Sequence, residues 1–97
     1  KSIPDVYIIS LGKNAIELSV KLSNSLRLTS HLIVYTDTLR RSLKAQMKEA
    51  NKLKAKYTII IGDDEIKNKH AIIKNMEDGS QESIHLDSVK AYFSSKK

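Results

Sequence analysis

Three short stretches, Val6-Tyr7-Ile8-Ile9, Leu32-Ile33-Val34-Tyr35 and Tyr57-Thr58-Ile59-Ile60-Ile61, are apolar at consecutive positions rather than at alternate ones. A strand with one wet face alternates; a strand buried on both faces, as in a parallel sheet covered by helices, does not. The β-branched content of the runs favours strand over helix. Each gap between them carries a helical pattern. From about Asn14 to Leu28, the residues Ala15, Leu18, Leu22 and Leu26 share one face, and Asn14 with Glu17 has the spacing of a capping box. Ser42 is a natural N-cap for a second helix whose apolar stripe is Leu43, Met47 and Ala50. Lys54 would fall back on that stripe, so the helix is expected to end by about Leu53. Strand, helix, strand, helix, strand implies right-handed parallel crossovers.

After Ile61 the rhythm changes. Only Gly62 to His70 separates the third run from Ala71-Ile72-Ile73-Lys74. A parallel crossover needs roughly a dozen residues or more, so the fourth strand is expected to run antiparallel to the third. Asp78-Gly79 signals a hairpin turn into a fifth strand over Glu82 to Leu86. Asp87 or Ser88 then caps a last helix carrying Val89, Ala91, Tyr92 and Phe93. The expected fold is a three-layer α/β/α domain: a mixed five-stranded sheet in βαβαβββα-like order, covered by two or three helices. At 97 residues the chain fits one domain. It opens on Lys1 rather than Met, so residues 1–4 are expected to be a linker remnant, 5–95 the domain and 96–97 a tail.

Catalytic chemistry is not legible. The chain has no cysteine, which removes thiol catalysis, disulfides and cysteine-ligated metals and is consistent with a reducing compartment. No apolar run approaches the ~20 residues of a membrane helix. His31, His70 and His85 are scattered and lack carboxylates at ligand spacing, so neither a metal site nor a catalytic residue is expected. Ser10-Leu11-Gly12-Lys13 lacks the repeated glycines of phosphate-binding loops. Asp37 and Asp63-Asp64-Glu65 lie past strand ends, where ligands bind in open α/β sheets. A signal-receiver domain would also need an acidic pair after the first strand, and Ser10-Leu11-Gly12 supplies none.

Charge is more informative. Between Leu39 and Lys56, Arg40, Arg41, Lys44, Lys48, Lys52, Lys54 and Lys56 face the single acid Glu49, and this stretch carries the whole formal charge of +6. Such a concentration is the footprint of a polyanion site, or else the solvated face of a lysine-rich helix. Lys44, Lys48 and Lys52 recur at every fourth position, away from the apolar stripe. Like charges so placed repel by a few tenths of a kcal/mol per pair, a cost that nearby phosphates would offset. Arg40 and Arg41 precede the helix, where an arginine can fork onto a phosphate or stack on a base.

The run Arg41-Ser42-Leu43-Lys44-Ala45-Gln46-Met47-Lys48-Glu49-Ala50-Asn51-Lys52, with Ala55-Lys56-Tyr57 and Ile61-Gly62-Asp63-Asp64-Glu65-Ile66 downstream, resembles the C-terminal domain of histidyl-tRNA synthetases. Val6 to Gly12 is similar to that family's opening strand and turn, and Asp87 to Phe93 to its closing helix. Ser10 stands where the family often has proline, Lys54 where it usually has glycine, and Leu39 and Arg40 where smaller or polar residues are common. The resemblance implies a fragment without catalytic residues or cofactor of its own, binding the anticodon stem-loop of tRNA(His). The parent would be a cytoplasmic, ATP- and Mg2+-dependent histidine–tRNA ligase, homodimeric, while the fragment alone could be monomeric. With the charge map, it points to Arg40, Arg41, Lys44 and Lys48, to Glu65 as an acceptor for a base edge, and to Lys74 on the fourth strand. Another synthetase of the same class, or a protein-interaction domain of the same fold, are the alternatives.

Overall fold

The structure is a computed structural model that describes residues 3–37 and 41–95. Ten elements follow in order: β1 (Val6–Leu11), α1 (Lys13–Ser30), β2 (Val34–Thr36), α2 (Leu43–Lys52), β3 (Tyr57–Gly62), α3 (Asp63–Asn68), β4 (His70–Asn75), β5 (Gln81–His85), a 3-10 turn (Leu86–Ser88) and α4 (Val89–Ser94). The sheet runs β2-β1-β3-β4-β5. β1 pairs in parallel with both β2 and β3, and β4 and β5 are antiparallel to their neighbours. The short connection after β3 therefore reverses the chain, as its length requires.

Strand alternation sorts the core into two layers. Val6, Ile8, Ile59, Ile61, Ala71 and Ile73 face one way and pack against Ala15 and Leu26 of α1 and Val89 and Phe93 of α4. Tyr7, Ile9 and Ile60 face the other way and meet Ala50 of α2 and Ala55. The hairpin turn is held by Asn75, whose Oδ1 accepts from the Glu77 and Asp78 amides, and Gly79 takes the positive φ the turn needs. On α4, Tyr92 donates to Glu82 Oε2 at 3.0 Å. Partial burial, with that acceptor, pushes the Tyr92 phenol up to about 12.

Local details depart from the sequence reading. Asn14 does not cap α1: the helix begins at Lys13, and the cap position is Gly12 at φ 106, with no side-chain hydrogen bond. β2 is confined to Val34–Thr36, so Leu32 and Ile33 precede it. The stretch after β3 forms the short helix α3, too brief for its periodicity to show. Neither Asp87 nor Ser88 caps α4 with its side chain; a 3-10 turn leads into it. Ser42 caps α2 as expected, its hydroxyl accepting from the Ala45 amide. Leu43, however, is 42% exposed, while Gln46 is fully buried, so the stripe that faces the sheet is Gln46, Met47 and Ala50.

Lys54 closes α2 in the left-handed region at φ 61. The Lys54 amide donates to Asn51 O and the Ala55 amide to Ala50 O, the two bonds of a Schellman cap. A side chain in that conformation costs roughly 1–2 kcal/mol, which glycine avoids at some loss of unfolded-state restriction. Lys54→Gly is accordingly expected to raise the unfolding free energy by about 1 kcal/mol. A higher urea midpoint at unchanged slope is the signature; an unmoved midpoint would show that the turn carries no strain.

Candidate nucleic-acid interface

β1, β2 and β3 end on the same side of the sheet, and the loop from β2 into α2 starts there. Asp37, just past β2, is 4% exposed and bonds to Arg41, which leads into α2. Its Oδ2 accepts from the Arg41 amide at 3.1 Å, and its Oδ1 accepts from Arg41 Nε at 2.9 Å and Nη2 at 2.7 Å. Nη2 also reaches the Tyr7 hydroxyl at 3.3 Å. The bond to Asp37 holds the Arg41 guanidinium above its ordinary range, and burial, with the Asp37 charge, raises the Tyr7 phenol.

Gln46 fixes the same loop from α2. Its Oε1 accepts from the Ser10 amide at 3.0 Å, while its Nε2 donates to Ser10 O at 2.9 Å and to Arg41 O at 2.6 Å. β2 leaves β1 after the pairing of Ile8 with Thr36. The primary amide of Gln46 thus continues the ladder beside Ser10, satisfying backbone groups that would otherwise be buried without partners.

The predicted site residues divide. Arg41, Lys44 and Lys48 come together on the loop and first turns of α2. Lys44, Lys48 and Lys52 are exposed and have no ion-pair partner among the described residues, whereas Arg41 is paired with Asp37. Glu65 stands apart, beyond β1, where its Oε1 accepts from the Gly62 amide at 2.8 Å as a cap of α3. Asp63 stands beside Gly12: a Cβ there would lie 3.1 Å from Asp63 Oδ1. Lys74 is half-buried opposite Thr58 and Gln81, towards the far end of the sheet from Arg41, where α2 ends. By alternation it shares the α2-side face with Ile72 and Met76. Arg40 lies outside the described residues.

Three features escaped the sequence reading. Gln46 was hidden because a glutamine on a basic helix reads as solvent-exposed, although its spacing from Ala50 puts it on the buried face. Asp37 was visible as an acid at a strand end but not as the partner of Arg41. The third is the bare α2-side face of the β4–β5 hairpin, where His70 lies directly opposite His85 with ring centroids 5.5 Å apart. A cleft of about 510 Å³ lined by Asn51, Lys54, Lys56, Tyr57, Asn75 and Glu77, among others, opens at the opposite end of the sheet from Arg41. Among the described residues, no group of three or more His, Asp or Glu could hold a metal ion, and no helix is long and apolar enough to cross a membrane.

Residues 5–96 match the family model described as Anticodon binding domain. A histidine–tRNA ligase of Staphylococcus haemolyticus is 41% identical over 92 residues, 95% of this chain and 22% of that protein. One from Staphylococcus aureus (strain JH9) is 43% identical over 89 residues, 92% of this chain and 21% of that protein. The crystal structure of apo S. aureus histidyl-tRNA synthetase superposes with a TM-score of 0.87 at 42% identity, over 94% of this chain and 23% of that one. The RNA binding domain of threonyl-tRNA synthetase from Cryptosporidium parvum Iowa II shares the fold, with a TM-score of 0.84 at 21% identity over 97% of this chain and 24% of that one. The chain therefore spans about a fifth of the length of the curated relatives it matches.

Proposed function

Since this chain belongs to the anticodon-binding-domain family, we propose that it grips the anticodon stem-loop of a tRNA, tRNA(His) in particular, as the RNA-holding part of a histidine–tRNA ligase. The observation that carries the reading is the row Lys44, Lys48 and Lys52, exposed and without acidic partners among the described residues, running from the clamped Arg41 along α2. Repelling cations aligned on one helix face suit a chain of phosphates. Arg41 and Lys44 serve at the loop, Lys48 along the backbone, and Arg40 in the segment that joins β2 to Arg41. Lys74 meets the RNA towards the other end of α2. Glu65 keeps one carboxylate oxygen, Oε2, for a base edge while Oε1 caps α3.

In this reading the chain performs no chemistry and takes no cofactor. ATP, Mg2+ and the dimer contacts belong to the catalytic part of the longer, cytoplasmic enzyme.

Titration with the anticodon stem-loop RNA at several salt concentrations tests it. Neutralising ~4 phosphates gives a slope near −3 in log affinity against log salt, using the single-strand coefficient. Lys48→Ala should weaken all RNAs alike and flatten that slope by about 1. Arg41→Ala should weaken the cognate loop by about 1–3 kcal/mol and other loops less. Binding that ignores salt, or a folded chain that binds no RNA, would return the protein-interaction reading.

A further inference from the structure

The side chain assigned above to the RNA is already held on every side but one. A guanidinium carries five N–H donors. Arg41 gives the one on Nε to Asp37, and those on Nη2 to Asp37 and the Tyr7 hydroxyl. That leaves the two on Nη1, which have no partner among the described residues. Parallel two-pronged contacts to a phosphate or a guanine edge pair Nη2 with either Nε or Nη1, so both need Nη2. Nor is release cheap: the Asp37 side chain is 2% exposed, and drawing Arg41 away would strand a buried carboxylate.

We propose that Asp37 is a positioning residue that presents Arg41 as a one-nitrogen donor, delivering only Nη1 to the RNA loop while the ion pair stays closed. This rests on the RNA-binding reading and adds to it a constraint on the contact: it is made through one nitrogen at a fixed place, rather than through a two-nitrogen fork on a phosphate. Gln46 supports the same posture by holding the Arg41 carbonyl.

Asp37 offers a test by sign. It is an acid beside a proposed polyanion site, so if charge alone mattered, Asp37→Asn would tighten RNA binding. If positioning matters, the same change weakens it, although a repulsive carboxylate has gone. The experiment titrates the anticodon stem-loop of histidine tRNA against the wild-type chain, Asp37→Asn, Arg41→Ala and the double variant at fixed salt, with Lys48→Ala as a reference. Asp37→Asn is expected to bind about three- to tenfold more weakly, the cost of immobilising one long side chain again. Its salt slope should not change, and on the Arg41→Ala background it should weaken nothing further. The Arg41 Nε–H resonance of the wild-type chain should stay in slow exchange with water both free and bound.

Equal or tighter binding by a folded Asp37→Asn chain, with Lys48→Ala still weakening, overturns the positioning role alone. So does loss of the Nε–H resonance on binding, which shows Arg41 leaving Asp37; this readout uses the wild-type chain and decides the matter even if Asp37→Asn does not fold. A wild-type chain with no salt-dependent RNA affinity removes the underlying reading, and this inference with it.

Discussion

Gln46→Leu is expected to lower the unfolding free energy by about 3 kcal/mol, even though leucine is close in size and more apolar. The reason lies in what glutamine leaves behind. Its amide is the partner of the Ser10 N–H and C=O and of the Arg41 C=O, and Gln46 itself is fully exchanged out of water. A buried backbone group left without a partner costs about 1–3 kcal/mol, which outweighs the gain from a better hydrophobe. For a domain of this length the loss corresponds to a fall in Tm on the order of 15 °C. Thermal and urea unfolding of the variant measure it. A loss below about 1 kcal/mol would mean that the backbone around Ser10 finds other partners and that Gln46 is not what holds the β1 end to α2.

The second large effect is expected at the other face. Phe93 is 2% exposed and packs edge-on against Tyr57 at 5.3 Å and Tyr92 at 5.1 Å between centroids. Phe93→Ala deletes the ring from a core shared by α1, α4 and the sheet, and such truncations cost about 3–5 kcal/mol. Domains of this size hold only about 5–15 kcal/mol in total, so the variant should lose roughly a fifth or more of its stability. Hydrogen exchange distinguishes two outcomes. If α4 is integral, protection falls in α1 and β3 together with α4. If only α4 amides exchange faster while Tm barely moves, α4 is an appendage and the core is smaller than the packing implies.

Much of the architecture was legible because it follows from a few strong signals. Consecutive apolar residues at Val6–Ile9 and Tyr57–Ile61 marked strands buried on both faces. The brevity of Gly62 to His70 forced the antiparallel turn, and Asp78-Gly79 announced the hairpin. The end of α2 was legible, because Lys54 would have broken its apolar stripe, but the ends of α1 and α3 were harder to read for a physical reason: both are followed by non-glycine residues in the left-handed region, at His31 and Lys69. Neither of these residue types signals a stop by itself. α3 escaped for a different reason, since six residues give no period to read.

The candidate interface was half legible. The lysine row on α2 followed from spacing alone, because helix geometry decides which side of a helix meets water. The network around Arg41 did not, because it joins Tyr7, Ser10, Asp37 and Gln46, and only the fold brings β1, the β2 end and α2 together. Glu65 shows the same limit, since its spacing from Gly62 suits an N-terminal cap as well as an acceptor for RNA.

The central place of β1 carries a consequence for how the chain acquires its shape. Val6 pairs with both Val34 and Tyr57, so one side of β1 stays open until residues far downstream are available. The β3–β4–β5 meander, by contrast, closes between sequence neighbours. Local contacts thus favour nucleation in the C-terminal half, and the capture of β1 by β3 is the step expected to be slow. Until that capture, a β-branched strand edge is bare and prone to stick to other chains, so a stall in translation between Ile9 and Tyr57 is expected to leave this domain most exposed to aggregation.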